Sequence, residues 1–174
     1  MTENRSRPRP LSARLCLGLI VALLSTVAQT APANGTQGLA PAIDLPTDNG
    51  RIKPADLAGK VVYVDFFASW CGPCKLSFPW LKTMQEQYAA KGLVVVAINV
   101  DKDRGDAVQF LAHYSPTFLV GYDPKGKIAD AFNVQGMPSS FLVSPTGTIL
   151  YSHVGFDTKD AAKIQAQIEK ALTQ

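Results

Sequence analysis

Cysteine is scarce in this chain. Its 174 residues include three cysteines, and two of them, Cys71 and Cys74, lie only three positions apart. A disulfide that closes so short a loop restrains little of the unfolded chain, because loop-closure stabilisation grows with loop length. The sequence therefore excludes a fold that is held together by bridges across long loops.

Long apolar runs are absent as well. Residues 15–27 are uncharged and mostly apolar, but a run of roughly a dozen residues is short for a membrane-crossing helix, which needs about 20. Four arginines precede this run, namely Arg5, Arg7, Arg9 and Arg14. A basic region before a short apolar region is typical of a secretory signal peptide. We predict a signal peptide over residues 1–33, whose removal takes Cys16 with it; an uncleaved anchor is the alternative.

An excess of charge of one sign is missing once that segment is set aside. The whole chain carries a formal charge of +3, and residues 1–33 hold four arginines and one glutamate, which leaves 13 basic and 13 acidic side chains. A formally neutral domain offers no electrostatic basis for binding nucleic acid or an anionic membrane. We therefore predict no nucleic-acid partner.

Two regular segments flank the cysteine pair. Residues 61–67 are short, rich in β-branched and aromatic side chains, and apolar apart from Asp65, which favours a strand buried on both faces. Residues 74–88 have apolar side chains at helical spacing, namely Phe78, Leu81, Met84 and Tyr88. Cys71 therefore lies at a junction between a strand and a helix.

The sequence Trp70-Cys71-Gly72-Pro73-Cys74 has the spacing of a redox-active dithiol. Unpaired backbone N–H groups and the helix dipole stabilise a thiolate at a helix N-terminus, so we expect the pKa of Cys71 to fall below the free value of about 8.5. Cys74 lies on the same helical face and can close a small disulfide ring, while Pro73 stiffens the turn. We expect Cys71 to attack and Cys74 to resolve.

Strand-like and helix-like segments alternate downstream of the pair. Strands are predicted at residues 93–100, 118–120, 141–143 and 149–154, and helices around residues 106–114 and 157–173. The turn sequence at residues 144–147 favours an antiparallel hairpin. This order predicts an α/β fold, with a central mixed β-sheet flanked by helices on both faces. Residues 31–41, rich in Ala, Gly and Pro, are predicted to be a flexible lead-in.

With these residues in place, the chain resembles the thioredoxin superfamily and, more narrowly, its exported TlpA/ResA-like branch. The resemblance covers roughly residues 40–172. Residues 64–75 look like the thioredoxin active-site segment nearly residue for residue. Pro79 matches the proline within the active-site helix, residues 134–139 match the branch's cis-proline loop, and residues 56–60 match the segment before its first central strand.

The resemblance assigns roles to residues around the dithiol. It implies that Pro138 is cis and faces the dithiol, where the backbone of Met137 pairs with an extended substrate segment. A trans proline that only ends a loop is the alternative. The other residues expected at this substrate contact surface are Trp70, Gly72 and Pro73. A Trp70 ring that is simply packed is the alternative for that residue.

Asp65 is the third residue assigned to the chemistry. A carboxylate within an apolar strand is costly unless it is paired or protonated, and burial raises its pKa. In thioredoxins the matching acid lies beneath the second cysteine, which implies that Asp65 manages the proton of Cys74; a structural or solvated acid is the alternative. Two positions depart from the family. Ala97 replaces a lysine usual in thioredoxins, and Ser77 replaces a glutamate usual in the ResA-like branch.

The other polar residues near the motifs carry weaker signals. His113 and His153 are isolated in sequence and make no ligand spacing with the cysteines, so no metal site is predicted. Lys75 is expected to be a solvated lysine, with added positive potential near Cys71 as the alternative. Residues 101–104 are predicted to be a loop after a strand.

These features together imply an exported thiol–disulfide oxidoreductase in the periplasm, with a thioredoxin-like domain over residues 34–174. It would need no cofactor, act as a monomer and reduce disulfides in protein substrates, since Gly72-Pro73 matches thioredoxin. Its electrons would come from a membrane donor of the DsbD or CcdA type. Apocytochrome c and copper-site cysteines are the implied outlets.

Three alternatives remain open at this point. The pair could act as an oxidant or isomerase by similar chemistry. It could bind copper or zinc as a metallochaperone site, with Met137 or a histidine as a further ligand. The chain could also be a redox-inert binding module that keeps the fold to dock a partner.

Overall fold

The computed structural model describes residues 38–174 of the protein. Its strands are β1 (Leu45–Thr47), β2 (Gly50–Ile52), β3 (Val61–Phe67), β4 (Leu93–Asn99), β5 (Leu119–Tyr122), β6 (Ser139–Val143) and β7 (Ile149–Val154). Its α-helices are α1 (Pro54–Leu57), α2 (Cys74–Tyr88), α3 (Arg104–Tyr114), α4 (Lys127–Ala131) and α5 (Thr158–Ala171).

A five-stranded sheet lies at the centre, in the order β5-β4-β3-β6-β7. Strands β3, β4 and β5 are parallel to one another, and β6 and β7 are antiparallel to their neighbours. The two parallel connections each contain a helix, α2 and then α3, as a crossover between parallel strands requires. Strands β1 and β2 form a separate antiparallel pair. The predicted mixed sheet is confirmed.

The sheet separates two hydrophobic cores, because successive side chains of a strand point to opposite faces. On β3, Tyr63 and Phe67 point into a core that is closed by α2, α3 and α5, which we call the helical core. Val64 and Phe66 point into the opposite core, which is closed by α4 and the β1–β2 pair. All seven residues of β3 are buried, as expected for a strand that is covered on both faces. Helices thus lie on both faces of the sheet, as predicted.

Most predicted elements agree with the structure within one or two residues. The bounds of β3 and α2 coincide with the prediction, and Asp157 caps α5 by accepting hydrogen bonds from the backbone N–H groups of Lys159 and Asp160. The predicted strand at 118–120 is displaced, since β5 begins at Leu119 and ends at Tyr122. The sequence analysis missed four short elements, namely β1, β2, α1 and α4.

The predicted flexible lead-in is wrong for its last residues. The N–H of Ala40 donates to the carbonyl of Gly147 at 2.8 Å, and the N–H of Ile149 donates to the carbonyl of Gly38 at 2.9 Å. These bonds hold residues 38–40 against the start of β7, because an edge strand offers unpaired backbone groups.

The predicted signal peptide at residues 1–33 lies outside the described residues. Within residues 38–174, no helix is long and apolar enough to cross a membrane.

Candidate active site

Cys71 and Cys74 form a disulfide at the point where α2 begins. Cys71 lies in the turn after β3, and Cys74 is the first residue of the helix. Both side chains are buried, with 3% of Cys71 and none of Cys74 exposed. The structure therefore brings the predicted dithiol together at the end of a central strand, in the wall of the helical core.

One backbone N–H group donates a hydrogen bond to the Cys71 sulfur. The N–H of Cys74 donates to Sγ of Cys71 at 3.2 Å. The N–H of Cys71 itself donates to the carbonyl of Ala68 at 3.1 Å, which fixes the turn. A donor aimed at the sulfur and the positive end of α2 both favour a thiolate at Cys71 once the disulfide is reduced. This arrangement suits Cys71 to the nucleophilic role.

A buried aspartate, Asp101, anchors the segment before the cysteines. Its carboxylate accepts hydrogen bonds from the Ser69 N–H at 2.9 Å, the Ser69 hydroxyl at 3.0 Å and the Asn99 side-chain amide at 2.8 Å. Asp101 is only 4% exposed, so these hydrogen bonds replace the ones that its carboxylate would make with water. The loop predicted at residues 101–104 is present only as far as residue 103, since α3 begins at Arg104, and its anchoring role was missed. The missed signal is a pair of polar residues, Asn99 and Asp101, at the carboxyl end of a strand parallel to β3.

Asp65 lies in the middle of β3 and points toward the helical core. Its neighbours on the same face, Tyr63 and Phe67, belong to the core that contains both cysteines. Asp65 is 2% exposed, and no hydrogen-bond donor among the described residues reaches its Oδ2 atom. Burial raises the pKa of Asp65 well above its ordinary value. Its register partner on β4 is Ala97, the position where thioredoxins carry a lysine.

The Met137–Pro138 peptide bond is cis, in the loop that leads into β6. The trans alternative is therefore wrong. The carbonyl of Pro138 accepts a hydrogen bond from the N–H of Gly155 at 2.7 Å, which ties the loop to the end of β7. Met137 is half-buried and packs against both cores, including the one that contains the cysteines. The loop thus lies at the same end of the sheet as the dithiol.

The rim of the site is exposed. Trp70 is 71% exposed, so the alternative of a packed ring is wrong. Gly72 and Pro73 are exposed as well, and a Cβ atom built on Gly72 would meet nothing within 4 Å. Leu76, one turn into α2, is 56% exposed and was not singled out in the sequence. A partner can therefore approach the disulfide from this side.

The remaining predicted positions lie around the site without joining it. Ser77 is buried, and its hydroxyl donates to the carbonyl of Cys74 at 3.2 Å. Lys75 and His113 are exposed, on α2 and α3 respectively. His153 lies on β7 with its Nε2 atom 3.3 Å from Oδ2 of Asp160. In the part of the chain that the structure describes, no group of three His, Cys, Asp or Glu residues is arranged to hold a metal ion.

A mixed sheet with a cysteine pair at the start of α2 and a cis-proline loop beside it defines a member of the thioredoxin superfamily. Within that class, the chain belongs to the Redoxin family, whose profile matches residues 27–170.

Several known proteins are similar to the chain. The thiol:disulfide interchange protein CycY of Rhizobium leguminosarum bv. viciae is 40% identical over 121 residues, which are 68% of this chain and 63% of that protein. The thiol-disulfide oxidoreductase ResA of Bacillus subtilis is 33% identical over 104 residues, 60% of this chain and 58% of its own length. Both matches thus span less than two thirds of the curated relative.

One solved structure matches a larger share of this chain, and of its own length, than these two relatives do. It is that of a candidate thiol:disulfide interchange protein DsbE from Chlorobium tepidum, with 48% identity and a TM-score of 0.77, covering 78% of this chain and 96% of that one. The predicted superfamily and fold are therefore confirmed. The names of these relatives agree with the predicted enzyme class, that of thiol–disulfide oxidoreductases.

Proposed function

We propose that the protein is a thiol–disulfide oxidoreductase that reduces disulfides in other proteins through Cys71 and Cys74. The observation that carries the proposal is the disulfide at the N-terminus of α2, which a rim of exposed residues leaves open to a partner. The names of the relatives support the same chemistry.

The reaction begins with the reduced pair. The Cys71 thiolate attacks one sulfur of a substrate disulfide, the substrate S–S bond breaks, and the released substrate sulfur takes a proton from water. Cys71 and the substrate are now joined by a mixed disulfide. Cys74 then loses its proton and attacks Cys71, the mixed disulfide breaks, and the second substrate sulfur leaves and takes a proton from water. The pair has lost two electrons, and the substrate has gained them as two thiols.

Asp65 serves the second step. The Cys74 thiol must lose its proton before it can attack, and its side chain is wholly buried. A carboxylate on the same face of the sheet can accept that proton, and a raised pKa places it closer to the pKa of a thiol. Asp65 is therefore the proton acceptor for Cys74 in this proposal.

The substrate docks across the exposed rim. Trp70 supplies a large apolar contact surface, and Gly72 and Pro73 leave room beside the disulfide. Met137 and Pro138 border the same end of the sheet. An extended substrate segment pairs there with the backbone of Met137, much as a strand adds to an edge.

The proposed setting is the periplasm. The basic and apolar layout of residues 1–33 supports export, and an oxidising compartment requires that a reductant receive electrons from outside it. A membrane donor of the DsbD or CcdA type meets that requirement. Apocytochrome c and the cysteines of copper sites are the proposed substrates, because both must be held reduced until a cofactor is attached.

Reduction of insulin disulfides by the full chain tests the proposal, with dithiothreitol as the source of electrons. Cys71→Ser should abolish the stimulated rate, and Cys74→Ser should accumulate a mixed disulfide that a reductant releases. Cys16→Ser is the matched control and should keep the wild-type rate. Wild-type activity in Cys71→Ser would refute the proposed chemistry.

A further inference from the structure

Three polar side chains lie side by side across the sheet. Asp65 of β3 is the register partner of Ser140 of β6, and Ser140 is the register partner of His153 of β7. Side chains of directly paired residues point to the same face, with their Cβ atoms about 4.5–5.5 Å apart. The three residues therefore form a continuous row, which we call the polar row.

The polar row lies on the helical-core face of the sheet. Leu142, two residues after Ser140, and Tyr151, two residues before His153, both pack in that core. The rings of Tyr151 and His153 stack on each other with centroids 6.3 Å apart, which confirms that they share a face. The row therefore begins at the acid beside the cysteines and leads away from them toward the edge of the sheet.

Burial along the row decreases from one end to the other. Asp65 and Ser140 are 2% and 3% exposed, whereas the side chain of His153 is 18% exposed and that of Asp160 is 30% exposed. Nε2 of His153 lies 3.3 Å from Oδ2 of Asp160, although the two do not align as a hydrogen bond. The row thus extends from a buried carboxyl to side chains that are partly exposed to solvent.

Both ends of the polar row have free hydrogen-bonding capacity. Of the side chains in residues 38–174, only Asp65 and His153 have a buried polar atom without a hydrogen-bond partner, Oδ2 and Nε2 respectively. Such atoms are costly and therefore rare in folded proteins. Their position on either side of one hydroxyl, that of Ser140, points to a role in moving a proton rather than in holding the fold.

We propose that Ser140 and His153 form the route by which the proton that Asp65 takes from Cys74 passes to solvent. The inference rests on the proposed function, in which Asp65 is that proton acceptor. The Ser140 hydroxyl accepts the proton from Asp65 and passes its own to the imidazole of His153, which gives a proton to solvent beside Asp160. No electron moves in this step, and Asp65 returns to the carboxylate form for the next cycle.

The tyrosines on the same face as Asp65 do not offer a second route for the proton. On β3, burial and then the charge of Asp65 raise the pKa of Tyr63 well above its usual range, and a hydrogen bond with Ser140 offsets part of the effect. On β7, burial and then Asp160 raise the pKa of Tyr151. Neither tyrosine therefore releases its proton near neutral pH. From β4 the register partner of Asp65 is Ala97, which cannot titrate.

A stopped-flow reaction with Ellman's disulfide separates the two chemical steps. The full chain with Cys16→Ser, once reduced, releases one thionitrobenzoate when Cys71 attacks and a second when Cys74 closes the disulfide. We expect Ser140→Ala and His153→Ala to slow the second release at neutral pH by about tenfold, which is less than the roughly 10²–10⁴-fold typical of a group that takes the proton directly, because both residues act one step after Asp65. The first release should keep its wild-type rate.

Two forms of rescue distinguish a proton route from a merely structural role. Ser140→Thr keeps a hydroxyl and should keep the rate of the second release. Imidazole in the buffer should restore that rate in His153→Ala in proportion to its concentration, because His153 reaches solvent. Ser139→Ala and His113→Ala are the matched controls, since Ser139 is a buried serine on the opposite face of β6 and His113 is the other histidine.

The outcomes separate this inference from the proposal on which it rests. A wild-type second release in Ser140→Ala or His153→Ala, while Asp65→Asn slows it, would overturn the proton route alone. Slowing of both releases together, or no rescue by threonine and imidazole, would also overturn it, because the residues would then act on the fold. A wild-type second release in Asp65→Asn would overturn the role of Asp65 itself.

Discussion

Two buried aspartates lie on the two central strands β3 and β4 or shortly after them, and their surroundings differ. Asp101 follows β4, and its carboxylate accepts hydrogen bonds from the backbone and hydroxyl of Ser69 and the side chain of Asn99. Asp65 is equally buried in the neighbouring strand, yet within residues 38–174 its Oδ2 atom has no partner. One acid has its charge compensated by donors, and the other does not.

The difference separates an acid that positions from an acid that reacts. A carboxylate that accepts hydrogen bonds from several buried donors is held in one orientation, so it serves as an anchor. Burial in an apolar strand raises the pKa of Asp65 and so brings it closer to the pKa of a thiol, which allows this carboxylate to accept the Cys74 proton and release it again. Asp101 therefore sets where Cys71 lies, and Asp65 sets when Cys74 can attack.

The largest expected effect comes from Asp65→Asn on the rate at which Cys74 resolves a mixed disulfide. An amide cannot accept the proton, so this rate should fall by about 10²-fold or more at neutral pH. Rapid quenching of the reaction between the reduced protein and a peptide disulfide measures it. Asp101→Asn is the matched variant, and it should not slow this step selectively; equal slowing in both variants would erase the distinction between the two acids.

Asp101→Ala should lower the free energy of unfolding more than a substitution at Asp65 does. It leaves the Ser69 N–H, the Ser69 hydroxyl and the Asn99 amide without their acceptor, and each unsatisfied buried group costs about 1–3 kcal/mol. Since water enters the loop to satisfy part of this loss, we expect destabilisation by roughly 2–4 kcal/mol in total. Urea unfolding of the oxidised protein measures it. An unchanged midpoint would show that Asp101 does not anchor the loop.

Asp65→Asn should instead stabilise the protein, and the gain should depend on pH. An aspartate in the unfolded chain ionises at a pKa of about 3.9, while burial holds the folded-state pKa of Asp65 well above this value. The folded state therefore retains a proton that the unfolded state has lost, and wild-type stability falls as pH rises from about 4 to the folded-state pKa.

The asparagine variant lacks this titration, so its stability should not show that fall. Its advantage should grow with pH and then level off above the folded-state pKa of Asp65. Thermal melts of the oxidised proteins between acidic and neutral pH measure the difference. Parallel curves for the two proteins would mean that Asp65 is not held protonated by the fold.

Trp70→Ala should have the smallest effect on the fold and a selective effect on substrate. Because its ring is mostly exposed, we expect a stability change within about 0.5 kcal/mol. The rate with insulin should fall several-fold, while the rate with Ellman's disulfide, which is too small to need the rim, should not change. A uniform loss with both substrates would place Trp70 in the chemistry rather than in docking.

The sequence was informative where chemistry is local in the chain. The bounds of β3 and α2 and the Cys71–Cys74 pairing followed from contiguous motifs, the cis bond at Pro138 was implied by the family resemblance, and the structure agrees with each. The short elements β1, β2, α1 and α4 were missed because three to five residues are too few to show a period. The polar row could not be predicted from the sequence for a different reason. It depends on the register between strands, which the sequence of one strand does not determine.

The equilibrium reduction potential of the Cys71–Cys74 pair tests the central claim most directly. It would be measured on the full chain with Cys16→Ser in glutathione and dithiothreitol buffers, after a check for bound metal. We predict a value near that of thioredoxin, about −270 mV, because the same Gly-Pro pair lies between the cysteines. A value near that of DsbA, about −120 mV, would contradict the assigned direction and make the protein an oxidant.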